Sequence, residues 1–248
     1  MSRSKNRIKL AAAALRREEE RLRDNVNHRL MEEYLSKDQA LFNRVCAVMD
    51  NVGDTTLAVA HLPNCDGNEK GLAYLVTHGA FQSMEILVSA CRLIGTDLGV
   101  SYPKELDAEI DKIKDMRVRV TGHPYDFKSN KKTGRKAGTS GISRITLSTS
   151  GFSLHEWTEG GKCKITGVNT FDYAVKSLRI ARRCLRYVNE ELASRVLELE
   201  REWVARPLYN YVAQLTYWCG KLNEAVRAGA APVGILKTIE ETLSLLRA

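Results

Sequence analysis

The chain has 248 residues, 44% hydrophobic and 27% charged, a composition that excludes intrinsic disorder for its bulk. Its 38 Lys and Arg against 30 Asp and Glu give a formal charge of +8, which favours polyanionic partners such as nucleic acid or an anionic membrane surface. Five prolines and 17 glycines are few for this length, and their scarcity leans the chain toward helix.

Residues 3–35 read as a charged helix with Arg, Lys and Glu mixed so that i,i+4 pairs form along its surface. Ala11–Leu15 is too short for the apolar part of a secretory leader, and Arg16-Arg17-Glu18-Glu19-Glu20 follows at once, so a cytoplasmic protein is expected. A second helix is predicted over Asp38–Met49, then a loop over Asn51–Asn68 with Gly53, Pro63, Asn64 and Gly67 as breakers. Asn68–Ile94 returns to helical period, with Leu72, Val76, Ala80, Met84, Leu87, Cys91 and Ile94 on one stripe. Tyr102-Pro103 starts the next helix, which runs to about Val120, proline suiting a first turn.

A basic, glycine-containing stretch from Pro124 to Gly141 precedes two β-like runs, Ile142–Ser148 and Phe152–Thr158, with a third short strand expected at Lys162–Thr166. Ile145, Leu147, Phe152 and Leu154 carry the alternation of a half-buried strand. Helical patterning resumes over Thr170–Ala205, Leu208–Ala228 and Val233–Leu246, with Pro207, Gly229 and Pro232 as punctuation. The fold class is therefore mainly α, a helical bundle with a small antiparallel β-hairpin insert. Its expected parts are an N-terminal helical region at 1–68, a core at 69–205 with the insert at about 142–166, and C-terminal helices at 206–248.

Several chemistries lack their residues. The longest uncharged runs, such as Pro207–Gly220, fall short of the about 20 apolar residues of a membrane span. Six scattered cysteines with no CxxC argue against a zinc site or a disulfide framework and fit a reducing cytosol. His61 and Cys65 are four apart without further ligands, and there is no P-loop, GxGxxG or GxSxG, so neither metal nor cofactor is expected.

The chemistry concentrates at the end of the helix that begins near Pro103. Leu106, Ile110, Ile113 and Val120 lie within a sector of about 80°, and Arg117 falls inside it. Arg119 points the opposite way, toward Lys104, Lys112 and Asp115, and is expected at the surface. A guanidinium on an apolar stripe is costly unless paired, so Arg117 is a snorkelling residue, a structural ion pair or a functional group. In Arg117-Val118-Arg119-Val120-Thr121-Gly122-His123-Pro124 a histidine follows a glycine that can end the helix and turn it back toward Arg117. Histidine moves a proton near neutral pH while arginine holds a phosphate in its planar fork, the two needs of metal-free RNA cleavage by a 2′-hydroxyl.

Arg117 to His123, with five intervening residues, resembles the Arg-x(4–6)-His motif of HEPN-domain proteins, and Gly122-His123-Pro124 followed by a hairpin insert is similar to a bacterial subgroup of that family. The likeness covers roughly residues 70–205. It implies a helical, metal-independent endoribonuclease of a defence or toxin system. It also implies a homodimer with its two motifs facing each other, RNA as substrate, and an antitoxin or regulatory protein as partner. Val118 departs from the polar residue usual after the motif arginine. That departure favours a second reading, a non-catalytic helical RNA-binding or protein-interaction module.

On the preceding helix Tyr74, His78, Phe81, Glu85 and Arg92 share a stripe, and Glu85 is the candidate support for Arg117 or His123. Lys128, Lys131, Lys132, Arg135 and Lys136 put five positive charges in nine residues just beyond His123, a candidate RNA-phosphate contact or a solvated loop.

Overall fold

The computed structural model describes residues 3–65, 69–121, 138–158, 161–204, 208–229 and 232–247. The described residues form eight α-helices and one three-stranded antiparallel sheet, the mainly α architecture read from the pattern. The helices are α1 (Arg3–Val26), α2 (Arg29–Leu35), α3 (Gln39–His61), α4 (Lys70–Asp97), α5 (Lys104–Thr121), α6 (Thr170–Val204), α7 (Leu208–Arg227) and α8 (Val233–Arg247). The strands are β1 (Gly138–Ile142), β2 (Gly151–Thr158) and β3 (Cys163–Asn169). No helix among the described residues is long and apolar enough to cross a membrane.

The chain divides into two compact units, one of Met1–Asp24 with Asp38–Glu191 and one of Asn25–Lys37 with Leu192–Ala248. In the second, Leu30 and Leu199 pack around Trp203, and the Arg29 guanidinium lies 4.7 Å over the Trp203 ring. Arg29 also donates to Thr242 Oγ1, and Gln214 reaches the Glu33 carboxylate, so α2, α7 and α8 are tied by polar contacts.

The first unit holds the large core. Ile8, Leu15 and Leu22 of α1, Val45, Val52 and Val59 of α3, Met84, Leu87 and Ile94 of α4, and Leu178, Leu185 and Val188 of α6 are all buried. Each fully buried aliphatic side chain contributes about 1.5–3 kcal/mol, so these faces outweigh the exposed ion pairs at about 0–1 kcal/mol each. Asn189 is buried too, and its amide donates to the Glu18 backbone oxygen and carboxylate.

Three elements differ from the sequence expectation. The helix expected over 3–35 breaks at Asn27 and His28 into α1 and α2. The loop expected from Asn51 is helix as far as His61, because Val52, Thr55, Thr56 and Val59 form a buried face that outweighs the poor propensity of Gly53. A Cβ on Gly53 would meet only the far ends of the flexible Glu19 and Arg23 side chains of α1. The first strand is Gly138–Ile142 and not Ile142–Ser148. The alternation of Ile145 with Leu147 is that of a turn, in which Ile145 is exposed, Leu147 is buried, and Thr146 Oγ1 takes the Ser153 amide.

The sheet has the order β1-β2-β3, with Ile142 opposite Leu154 and Phe152 opposite Val168. Its inner face brings Phe152, Leu154 and Val168, together with Leu147 of the turn, onto Ala73 and Phe81 of α4 and Met116 and Val120 of α5. Phe81 is the hub, meeting Phe152 edge-on at 6.0 Å and Tyr173 at 5.5 Å. Lys70 Nζ donates to the Leu147 carbonyl at 2.9 Å, fixing the turn to the start of α4. Of the cysteines, Cys91 and Cys184 are buried, whereas Cys163 is exposed directly opposite Trp157 in the register.

Phe81→Ala is expected to lower the unfolding free energy by about 3–5 kcal/mol, the scale for emptying a buried aromatic site. Urea unfolding followed by circular dichroism measures it. A loss below about 1 kcal/mol would mean that the sheet is not held through Phe81.

Candidate functional site

Helices α4 and α5 are antiparallel neighbours whose seam is cross-linked twice. At one end Arg92 reaches Asp107 Oδ1 at 3.1 Å, the Asp107 backbone oxygen at 3.0 Å and Asp111 Oδ1 at 3.0 Å. At the other, Arg117 Nε donates to Gln82 Oε1 at 2.9 Å. Arg117 therefore lies in the last turns of α5, half-buried, where the first half of α4 passes it. The Thr121 hydroxyl donates to the Arg117 carbonyl at 3.0 Å, satisfying one of the carbonyls left open at a helix end.

The environment of Arg117 is unlike that of its neighbours. Among the described residues no carboxylate pairs with it, and its hydrogen bond goes to a neutral amide that fixes the guanidinium without neutralising it. Arg92 and Arg119 are each matched to two carboxylates. A half-buried cation without a counter-charge is a standing attraction for an anion.

Arg119 departs from its expected surface position. Its side chain is 21% exposed and bridges Asp115 of its own helix and Glu156 of β2, the latter at 3.0 Å. The Ser140 hydroxyl of β1 donates to the Arg119 carbonyl. The sequence placed Arg119 on the face of Asp115, but that face is roofed by the sheet. Tyr173 lies in the same region, and burial pushes its phenol up while Arg119 draws it down.

His78 lies one turn before Gln82 on α4, on the same helix face. Its ring sits 5.1 Å from that of Tyr74, and its Nε2 is buried with no hydrogen-bond partner among the described residues. Burial lowers its pKa from the ordinary 6.5, which keeps the ring neutral at pH 7. Glu85 accepts from the Ser89 hydroxyl at 2.7 Å, along its own helix, while Gln82 is the residue that takes Arg117. Gln82 shares the stripe of His78 and Glu85, so its position was open to the periodicity, but its pairing depends on interhelical register. His123 and the basic residues Lys128, Lys131, Lys132, Arg135 and Lys136 lie outside the described residues.

Among the described residues, no group of three or more His, Cys, Asp or Glu side chains is placed to hold a metal ion. Comparison with protein-family models, curated proteins and solved structures finds no match to this chain.

The depressed pKa of His78 carries a signed consequence. The folded state binds this proton less readily than the unfolded chain, so acidification through 6.5 favours unfolding. A parent protein should lose stability below pH 6.5 more steeply than His78→Gln, which has no proton to take up there. In nuclear magnetic resonance the His78 ring should titrate below 6.5, and a midpoint above that value would contradict its burial.

Proposed function

We propose that this chain is a metal-independent endoribonuclease of HEPN type, with Arg117 binding the scissile phosphate and His123 transferring protons. The carrying observation is the Arg117 guanidinium, half-buried, held by the neutral Gln82 amide and matched to no described carboxylate. A phosphate supplies the charge it lacks, and a planar fork suits two phosphate oxygens.

In this reading the 2′-hydroxyl of one nucleotide attacks the adjacent phosphorus and the bond to the 5′-oxygen of the next breaks. His123 takes the proton from the nucleophile or returns one to the leaving oxygen, and Arg117 stabilises the charge that gathers on the phosphoryl oxygens. In sequence His123 stands two residues past Thr121, the C-terminal residue of α5. Lys128, Lys131, Lys132, Arg135 and Lys136 then guide the RNA backbone toward the motif. Two chains facing each other, under control of an antitoxin or regulatory protein in a defence system, complete the proposal. Val118 supports the second reading, in which the same surface binds RNA or protein without cutting.

His123→Ala and Arg117→Ala should each lose RNA cleavage by roughly 10²–10⁴-fold, the usual range for one acid–base group. Cleavage by the parent should persist in EDTA and leave 2′,3′-cyclic phosphate ends, as a 2′-hydroxyl nucleophile requires. A His123→Ala protein as fast as its parent would falsify the catalytic assignment, and a parent that binds RNA without cutting it would establish the second reading. Replacing Lys131, Lys132, Arg135 and Lys136 by Ala should flatten the salt dependence of RNA affinity, since each neutralised phosphate releases counter-ions.

A further inference from the structure

The outer face of the sheet takes no part in the Arg117 site, and its composition is unusual for a solvated surface. Side chains alternate along a strand, so with Phe152, Leu154 and Val168 turned into the core, His155, Trp157, Ile165 and Gly167 face outward, as does Gly141 of β1. Trp157 is 40% exposed and Ile165 63%. A Cβ built on Gly141 would meet Trp157 Cζ3 at 3.7 Å, so the indole lies along the sheet over this glycine. Its other neighbour is the His155 ring at 5.7 Å, and the space over Gly167 is open. The result is an aromatic surface bordered by residues too small to obstruct it.

Charge says what kind of partner this surface suits. Glu156, the one carboxylate in the three strands, faces inward and is taken by Arg119. Between residues 128 and 169 the sequence carries eight Lys and Arg against two Glu, a balance of +6 out of the chain's +8. Five of the eight, Lys128, Lys131, Lys132, Arg135 and Lys136, precede β1 in the sequence and lie outside the described residues, and the rest of the chain is nearly neutral. An exposed indole on strands that follow so basic a stretch in the sequence matches a polyanion that also offers flat apolar faces, which is an unpaired nucleic acid strand. A duplex buries those faces in its own stack.

We propose that the outer face of β1–β3, centred on Trp157, is a stacking surface for unpaired bases, which makes single-stranded RNA the substrate class. The proposal rests on the RNA reading above and deepens it. The test uses the full chain and a labelled 2′-O-methyl RNA of roughly 12 nucleotides, within the usual footprint for such surfaces. The methyl group blocks the 2′-oxygen, so binding is read without cleavage. Fluorescence anisotropy is measured for the single strand and for the same strand annealed to its complement.

The single strand should bind more tightly than the duplex. Trp157→Ala should weaken single-strand binding by about 5- to 150-fold, the loss of one stacked base, and leave duplex binding unchanged. Trp157→Phe should retain most of the affinity, and Ile165→Glu should weaken it by placing a carboxylate on the face. Both positions are exposed, so thermal melts should stay at the parental midpoint. If the parent binds the single strand and Trp157→Ala binds it equally well, the stacking surface is refuted while the RNA reading stands, and the face belongs to another partner. If the parent binds neither single strand nor duplex, the RNA reading falls and takes the stacking surface with it.

Discussion

The seam between α4 and α5 is the constraint on which the rest of the first unit depends. Arg92 with Asp107 and Gln82 with Arg117 obey one antiparallel register, ten residues apart on each helix and so about 15 Å apart along the seam. Ile110 and Ile113, buried between the two links, and Leu106 just before the first supply the driving force. The polar links contribute less free energy but help to choose the register, because a slip by one helical turn would take the Gln82 amide away from Arg117. Fixing that register also fixes Met116 and Val120 opposite Ala73 and Phe81, the floor on which the sheet lies.

Three arginines along these helices show how identical side chains acquire different roles. Arg92 is matched to two aspartates and serves as a clamp. Arg119 is matched to Asp115 and Glu156 and anchors the sheet to α5. Arg117 is left with a neutral acceptor. The carboxylates are distributed so that the Arg117 guanidinium keeps its charge available, while its neighbours are neutralised in place.

The fold was largely legible because long amphipathic stripes are strong signals. Leu106, Ile110, Ile113 and Val120 were placed on the buried face of their helix by periodicity alone, and all four are buried. Local signals failed where tertiary contact outweighed them, as at Gly53, which the buried face of Val52, Thr55, Thr56 and Val59 carries through within a helix. Short strands were harder, since Ile145 and Leu147 alternate within a turn as they would within a strand. At the site, Arg117 was found because a charge on an apolar stripe contradicts its surroundings. Gln82 and Glu156 were not, since neither contradicts its own local sequence, and their partners are set by helix register and by the sheet roof over α5.

In the first unit, exposure sets the buried thiols of Cys91 and Cys184 apart from that of Cys163. Nucleophilic attack on an alkylating reagent or a disulfide is made by the thiolate. Burial holds Cys91 well above its ordinary range and pushes Cys184 up to about 12, so both stay protonated and out of reach in the folded protein. Cys163 is exposed. Because it stands across the ladder from Trp157, a maleimide attached there reports on the outer face of the sheet, while the core thiols react only as the helices come apart.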